Sequence, residues 1–214
     1  GSYRQSLDGI QKLADRKLNL CLKTILMTYN RHEFFAIQRL AQTYGAKFRF
    51  DAAIFPAFPG DRSCTRLRVP PEEAVEKELL VEGRLEAWTE YYTTHNFSVV
   101  SETDFLYRCG AGLSSFHINP YGMLQPCLLS NNVQYDLLKG HFEDGWKNEI
   151  SRIREKKAAI DRRCRYCEKV HLCGYCPPFF ALETGDENVC SEYLCEMGQL
   201  RFEAIQSKNL NRKR

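Results

Sequence analysis

Eight of the ten cysteines in this 214-residue chain lie beyond residue 108, and that lopsidedness limits what the chain can become. Cys21 and Cys64 stand apart in the first half. Cys109, Cys127, Cys164, Cys167, Cys173, Cys176, Cys190 and Cys195 are enough for two complete four-thiolate sites. In a secreted chain such a set would read as disulfides. Here no secretory leader pattern is found and the cysteines come in close C-x-x-C pairs, which favours metal in a reducing, cytoplasmic setting.

The remaining composition is that of an ordinary folding chain, with 43% hydrophobic and 27% charged residues. The formal net charge of +3 does not call for nucleic acid or an anionic membrane as partner. No apolar run reaches the roughly 18 residues that would span a bilayer. The basic stretch from Lys208 to Arg214 reads as a solvated end. Gly1-Ser2 without a starting Met reads as a cloning scar or as the start of a piece of a longer polypeptide.

The first half alternates helix and strand. Leu7, Ile10, Leu13 and Ala14 share a helical face, and Leu20 to Met27 has the near-continuous apolar character of a buried parallel strand. Cys21, within that run, is expected to be a buried small hydrophobe. Asn30, followed by Glu33, reads as the cap of a helix with Phe34, Ile37, Leu40, Ala41 and Tyr44 inward, ending at Gly45. Lys47 to Phe55 alternates as a second strand. After Pro70-Pro71, helix is expected to about Thr94 with a break at Gly83 and with Leu79, Leu80, Leu85 and Trp88 packing. This order predicts right-handed crossovers onto a parallel sheet, yet two strands neither close a barrel nor make a stable sheet alone. Something is expected on the N-terminal side, either a missing barrel half or a partner that supplies it.

Beyond residue 100 the character changes. Asn119-Pro120-Tyr121-Gly122 is a turn sequence between Ser114–Ile118 and Met123–Cys127, predicting a hairpin. An amphipathic helix is expected from Phe142 to Lys157 with Trp146, Ile150 and Ile153 on one side. Loop is expected from Arg163 to Cys176, and a last helix from Ser191 to Ser207.

Cys164-x2-Cys167-x5-Cys173-x2-Cys176 packs four soft ligands into thirteen residues. Two-knuckle zinc sites usually separate their pairs by a dozen residues or more. Five intervening residues are tight for one tetrahedral ion and natural for an iron-sulfur cubane, which spreads its ligands.

With Cys109, twelve residues, Gly122, four residues and Cys127 ahead of that run, and Cys195 after it, the pattern resembles the radical S-adenosylmethionine proteins that end in a SPASM auxiliary-cluster domain. The likeness covers 87 residues and seven cysteines; it departs at Cys173-x2-Cys176, where the family has three intervening residues. It implies two 4Fe-4S clusters, one on Cys164, Cys167, Cys173 and Cys195, the other on Cys109, Cys127 and Cys176. For the missing fourth ligand of the second cluster, Cys190 is one candidate, Cys64 another, and an iron left open for substrate a third. Residues 1–98 resemble the later part of the family's β/α barrel. The implied fold is therefore α/β, part of a radical S-adenosylmethionine-type β/α barrel, followed over 99–214 by a small cysteine-rich α+β SPASM-like domain.

The family's C-x3-C-x2-C, which binds the cluster that cleaves S-adenosylmethionine, is absent. The chain thus resembles the C-terminal portion, or a degenerate relative, of an enzyme that modifies peptides or proteins, and is not expected to generate a radical alone. S-adenosylmethionine would belong only to a complete protein. The alternative is a zinc module contacting nucleic acid or a protein partner, using Arg162, Arg163, Arg165, Lys169 and His171 with Tyr166 and Tyr175 for stacking. A purely structural or partner-binding module is a third reading. Of His32, His95, His117, His141 and His171, only His171 lies where it could replace a thiolate. Arg49 and Asp51 share a strand face and read either as substrate contacts or as ion-paired surface, and Lys23 carries the same ambiguity.

Overall fold

The computed structural model describes residues 1–58, 60–94, 104–159 and 163–211. His95, Arg162 and the expected boundary between residues 98 and 99 lie outside them.

The first part follows the alternation in the sequence: α1 (Ser2–Asp15), β1 (Cys21–Ile25), α2 (Phe34–Thr43), β2 (Lys47–Asp51), α3 (Pro71–Leu79) and α4 (Arg84–Thr94). β1 and β2 pair in parallel, from Cys21 opposite Lys47 to Ile25 opposite Asp51. The period-2 pattern points Leu22, Thr24, Phe48 and Phe50 toward α2, where Phe34 meets the rings of Phe48 and Phe50 edge-on at 5.6 and 4.8 Å. Full burial of a side chain like Phe34 contributes about 2–3 kcal/mol. α3 starts on Pro71 at its first position, and the turn before α4 runs through Gly83 with φ +74°.

Three expectations in this part are corrected. β1 is not buried on both faces: Cys21, Lys23 and Ile25 are exposed, because among the described residues the sheet has two strands and only one face is covered. Asn30 stands at the N-cap position, its carbonyl accepting from Glu33 N–H at 2.9 Å, but its side chain does not cap the helix. Its side chain turns back, accepting from Met27 N–H at 2.8 Å and donating to the Ile25 carbonyl at 2.9 Å, so a 3₁₀ turn (Arg31–Glu33) precedes α2. Leu79 and Leu80 are exposed; Ala74 and Val75 are the α3 residues that reach the core.

The second part begins with a three-stranded antiparallel sheet, β3 (His117–Ile118), β4 (Met123–Gln125) and β5 (Tyr135–Asp136). The expected turn is present. Asn119 accepts Gly122 N–H on its carbonyl at 3.0 Å, and its side chain accepts from Tyr121 and Met123; Gly122 takes φ +78°. The helix expected from Phe142 changes winding: α5 (Phe142–Gly145) runs into a π turn (Trp146–Ile150) and a 3₁₀ turn (Ser151–Glu155). Ile150 and Ile153 are buried as expected. After a 3₁₀ turn at Arg163–Tyr166 come α6 (Pro177–Thr184), which the sequence reading had missed, and α7 (Glu192–Asn211).

α7 ties the two parts together. Tyr193, Met197 and Leu200 join a core with Leu26, Phe34, Val69 and Val75, while Leu194 and Cys195 join another with Cys164, Phe179, Phe180 and Cys190. Arg68 adds a second tie: it donates to the Ile54 carbonyl at 2.7 Å, lies over the Tyr193 and Phe179 rings, and forms an ion pair with Glu183 of α6. Among the described residues no helix is long and apolar enough to cross a membrane.

Candidate metal centres

All ten cysteines are free thiols, and the eight of the second part fall into two groups. Cys164, Cys167, Cys173 and Cys195 line one cavity of about 390 Å³, with Arg163, Lys169, Glu192 and Glu196 at its rim. Local structure explains how residues so far apart converge. Cys164 sits in the 3₁₀ turn, and Cys167 and Cys173 flank the tight turns that follow. Cys195 is delivered by the first turn of α7, whose start is fixed by Ser191: its hydroxyl accepts from Leu194 N–H at 3.3 Å, and its carbonyl accepts from Cys195 N–H at 3.0 Å. Arg201 of α7 donates to the Leu172 carbonyl and grips Glu78 through two hydrogen bonds of 2.7 and 2.9 Å, clamping the cysteine loop to α3.

Cys109, Cys127 and Cys176 form the second group, with Cys109 near enough to act electrostatically on Cys127 and both of them on Cys176. Cys127 follows β4 at a tight turn to Ser130, and Cys176 stands directly before Pro177, the first residue of α6. Beside Cys176 lies Glu187, a buried carboxylate that accepts from Tyr107 at 2.7 Å and Asn132 at 3.1 Å and pairs with Lys156. Burial, with the hydrogen bond to Glu187, pushes the Tyr107 hydroxyl far above the usual phenol range.

Burial also raises the thiols. Cys173 and Cys176 are each pushed up to about 11, burial being the larger cause and neighbouring thiols adding to it. Cys127 rises for the same reason, offset in part by the amides of Leu129 and Ser130. Cys164 and Cys195 rise through burial and their mutual neighbour Cys190. A ligand that takes these sulfurs as thiolates must displace protons.

The sequence left the second group's fourth ligand open, and two candidates stand elsewhere. Cys190 belongs by position with Cys164 and Cys195, packed in the same buried cluster. Cys64 donates to the Phe55 carbonyl at 3.3 Å. His171 faces α4, its ring edge-on to Tyr91 at 6.1 Å. Among the residues of the zinc and nucleic-acid alternative, Arg163 pairs with Glu192 at 3.1 Å, and Tyr175 is half-buried, its hydroxyl donating to the Leu106 carbonyl at 3.0 Å and its ring edge-on to Phe180 at 5.3 Å. Among the described residues, no three Cys, His, Asp or Glu side chains close in to single-ion distance. Ligand sulfurs around one zinc sit ~3.8 Å apart, given a Zn–S bond of about 2.3 Å, whereas the corners of a cubane are wider.

A cleft of about 640 Å³ separates the ends of β1 and β2 from the cysteine-rich part. Lys23, Ile25 and Asp51 form one wall; Cys173 and Cys176, one thiol from each group, stand on the other with Phe179. Asp51 is 3.7 Å from Lys23, so the ion-paired reading describes it, at the mouth of a cleft that Arg49 does not line. Tyr107, Glu187 and Arg201 were not singled out in the sequence, where nothing distinguishes them from other polar residues. No family model and no curated protein sequence matches the chain.

Proposed function

We propose that this chain is the iron-sulfur-binding C-terminal part of a radical S-adenosylmethionine enzyme of the SPASM type, acting in the cytoplasm on a peptide or protein substrate. The observation that carries the reading is the cavity walled by Cys164, Cys167, Cys173 and Cys195, the four cysteines that the family resemblance assigns to one cluster. These four would hold the first 4Fe-4S cluster, and Cys109, Cys127 and Cys176 the second. The donor set fits in kind: four soft thiolates wall one cavity. When bound, such clusters supply one-electron redox chemistry or an iron site for a substrate donor atom.

The chain's own residues provide the setting. Cys173 and Cys176 share a wall of the cleft, so a segment lying there would be beside both sites, with Lys23 and Asp51 offering charge and Phe55 and Phe179 offering apolar surface. The uncovered face of β1 and β2 agrees with residues 1–98 being the later part of a β/α barrel; residues 99–214 would then be the SPASM-like domain. The S-adenosylmethionine-cleaving segment would come from the other barrel half or from a partner that supplies it.

The test is anaerobic reconstitution with iron and sulfide followed by metal and acid-labile sulfide analysis. About eight irons and eight sulfides per chain are expected for two cubanes. Stoichiometric zinc with no sulfide would sink the proposal and bring the zinc-module reading forward.

A further inference from the structure

The second group of cysteines comes from three separate stretches of chain, and one buried carboxylate is tied to all three. Glu187 is 7% exposed, and Tyr107, two residues before Cys109, is 1% exposed. Tyr107 donates its hydroxyl to Glu187 Oε1 at 2.7 Å. Asn132, beyond the turn that follows Cys127, donates to the same oxygen at 3.1 Å. The side-chain oxygen of Asn132 accepts from the Ser130 hydroxyl at 3.0 Å, and Ser130 N–H donates to the Cys127 carbonyl at 3.2 Å. Glu187 itself stands just past α6, the helix that Cys176 opens. Its other oxygen pairs with Lys156, whose carbonyl accepts from Leu106 N–H at 2.8 Å; Arg154, two residues earlier, donates to the Cys109 carbonyl at 2.7 Å.

Thiols from three stretches converge only where those stretches are held together, and groups outside the ligand shell do the holding. A buried hydrogen-bond network in which every member is engaged is rigid enough for that. Both oxygens of Glu187 are engaged, which argues against its being the missing fourth ligand. We propose that Glu187 is a positioning residue for the second site: as the acceptor shared by Tyr107 and Asn132, it holds the stretches bearing Cys109, Cys127 and Cys176 in one group. This rests on reading those three cysteines as metal ligands.

The experiment loads wild type, Cys127→Ala, Glu187→Ala, Glu187→Gln, Asn132→Ala and Glu183→Ala without oxygen, in parallel with iron and sulfide or with zinc. Metal per chain is measured, and then the rate at which a chelator removes it. Cys127→Ala defines the metal that belongs to the second site. Glu187→Ala is expected to lose that metal, about four irons where iron and sulfide are supplied, and to keep the rest. Glu187→Gln keeps an acceptor for Tyr107 and Asn132, and Lys156, half in water, can swing out, so this variant should load like wild type. Asn132→Ala cuts only the tie to the Cys127 turn and keeps the test open where Glu187→Ala fails to fold; second-site metal should leave about tenfold faster. Glu183→Ala controls for general weakening, because it breaks a buried ion pair of the same helix whose partner, Arg68, belongs to the first part of the chain. Full second-site metal in Glu187→Ala, an unchanged release rate in Asn132→Ala, or equal metal loss in Glu183→Ala would overturn the inference. Loss in Glu187→Gln as complete as in Glu187→Ala would overturn it too, since the charge or a direct bond to metal would then be what matters. Wild type that takes zinc alone would sink the cluster reading and leave this test intact; wild type that takes neither would overturn both.

Discussion

A missing side chain sets how closely α7 approaches the first site. A Cβ on Gly198 would lie 2.7 Å from Cys173 Cβ and 3.0 Å from its Cα, with backbone behind it that cannot swing away. Alanine inside a helix normally gains about 1 kcal/mol over glycine. Overpacking against fixed atoms costs about 1–3 kcal/mol, and here it wins. Gly198→Ala should therefore lower the urea midpoint and the iron retained by the first site; a more stable variant would contradict the placement of Cys173. Tyr107→Phe tests the second site's surroundings. It takes one donor from the buried Glu187 carboxylate, which keeps Asn132 and Lys156, so a loss of about 1–3 kcal/mol in urea unfolding is expected. Residue spacing made the eight cysteines legible, since a C-x-x-C run carries its chemistry in its order along the chain. The position of Cys190 was not legible, because spacing does not say on which side of the Ser191 cap a thiol will face. Tyr107 and Glu187 are 80 residues apart, and no local pattern joins them.

α7 is the element on which both parts depend, and its sequence was readable because apolar residues recur along it at helical spacing. What periodicity could not tell is that this helix packs on two sides, against the core of α2 and α3 and against the cysteines. Its cap is a direct test. Ser191 is fully buried, so Ser191→Ala leaves the Leu194 N–H without its acceptor and should cost about 1 kcal/mol in denaturant unfolding, with weaker iron retention because Cys195 is in the same turn. Unchanged retention would separate the cap from the site. The Arg68 and Glu183 ion pair is 12% and 7% exposed, and Glu183→Ala would leave the guanidinium buried without its partner. A loss of about 3 kcal/mol is expected from thermal or urea unfolding. Elements with long periodic runs, from α1 to β2 and α7, were legible to within a few residues. α6 was missed although Pro177 and Gly185, which takes φ +87°, frame it as a helix start and stop. Its four buried residues, Pro177 to Phe180, are consecutive and so show no stripe, and β5 has only two residues to show a pattern.

At the scale of the whole molecule, the thiols link folding, pH and metal. Cys173 and Cys176 have ordinary values near 9 when unfolded and are pushed up to about 11 by burial in the fold. The folded, metal-free chain therefore keeps protons that the unfolded chain loses between those values. Stability from this source is fully present below pH 9 and is lost as pH rises toward 11. The slope is about 1.4 kcal/mol per pH unit for each thiol that ionises only on unfolding. Metal or cluster binding reverses the sign: its ligands are thiolates, so loading releases protons and strengthens as pH rises. Urea unfolding of metal-free and reconstituted protein at pH 8 and pH 10.5 would read both effects. The metal-free chain should weaken markedly across that interval and the loaded chain should not, because its thiols have already given up their protons. Equal loss in both forms would mean that Cys173 and Cys176 remain thiols in the loaded protein, and so do not hold the metal. The two thiols stand on one wall of the cleft that faces β1 and β2, and through α7 their packing continues into the core that holds those strands. Acidification that strips the metal should therefore not by itself unfold the first part of the chain, because the metal-free fold keeps this stability in full below pH 9.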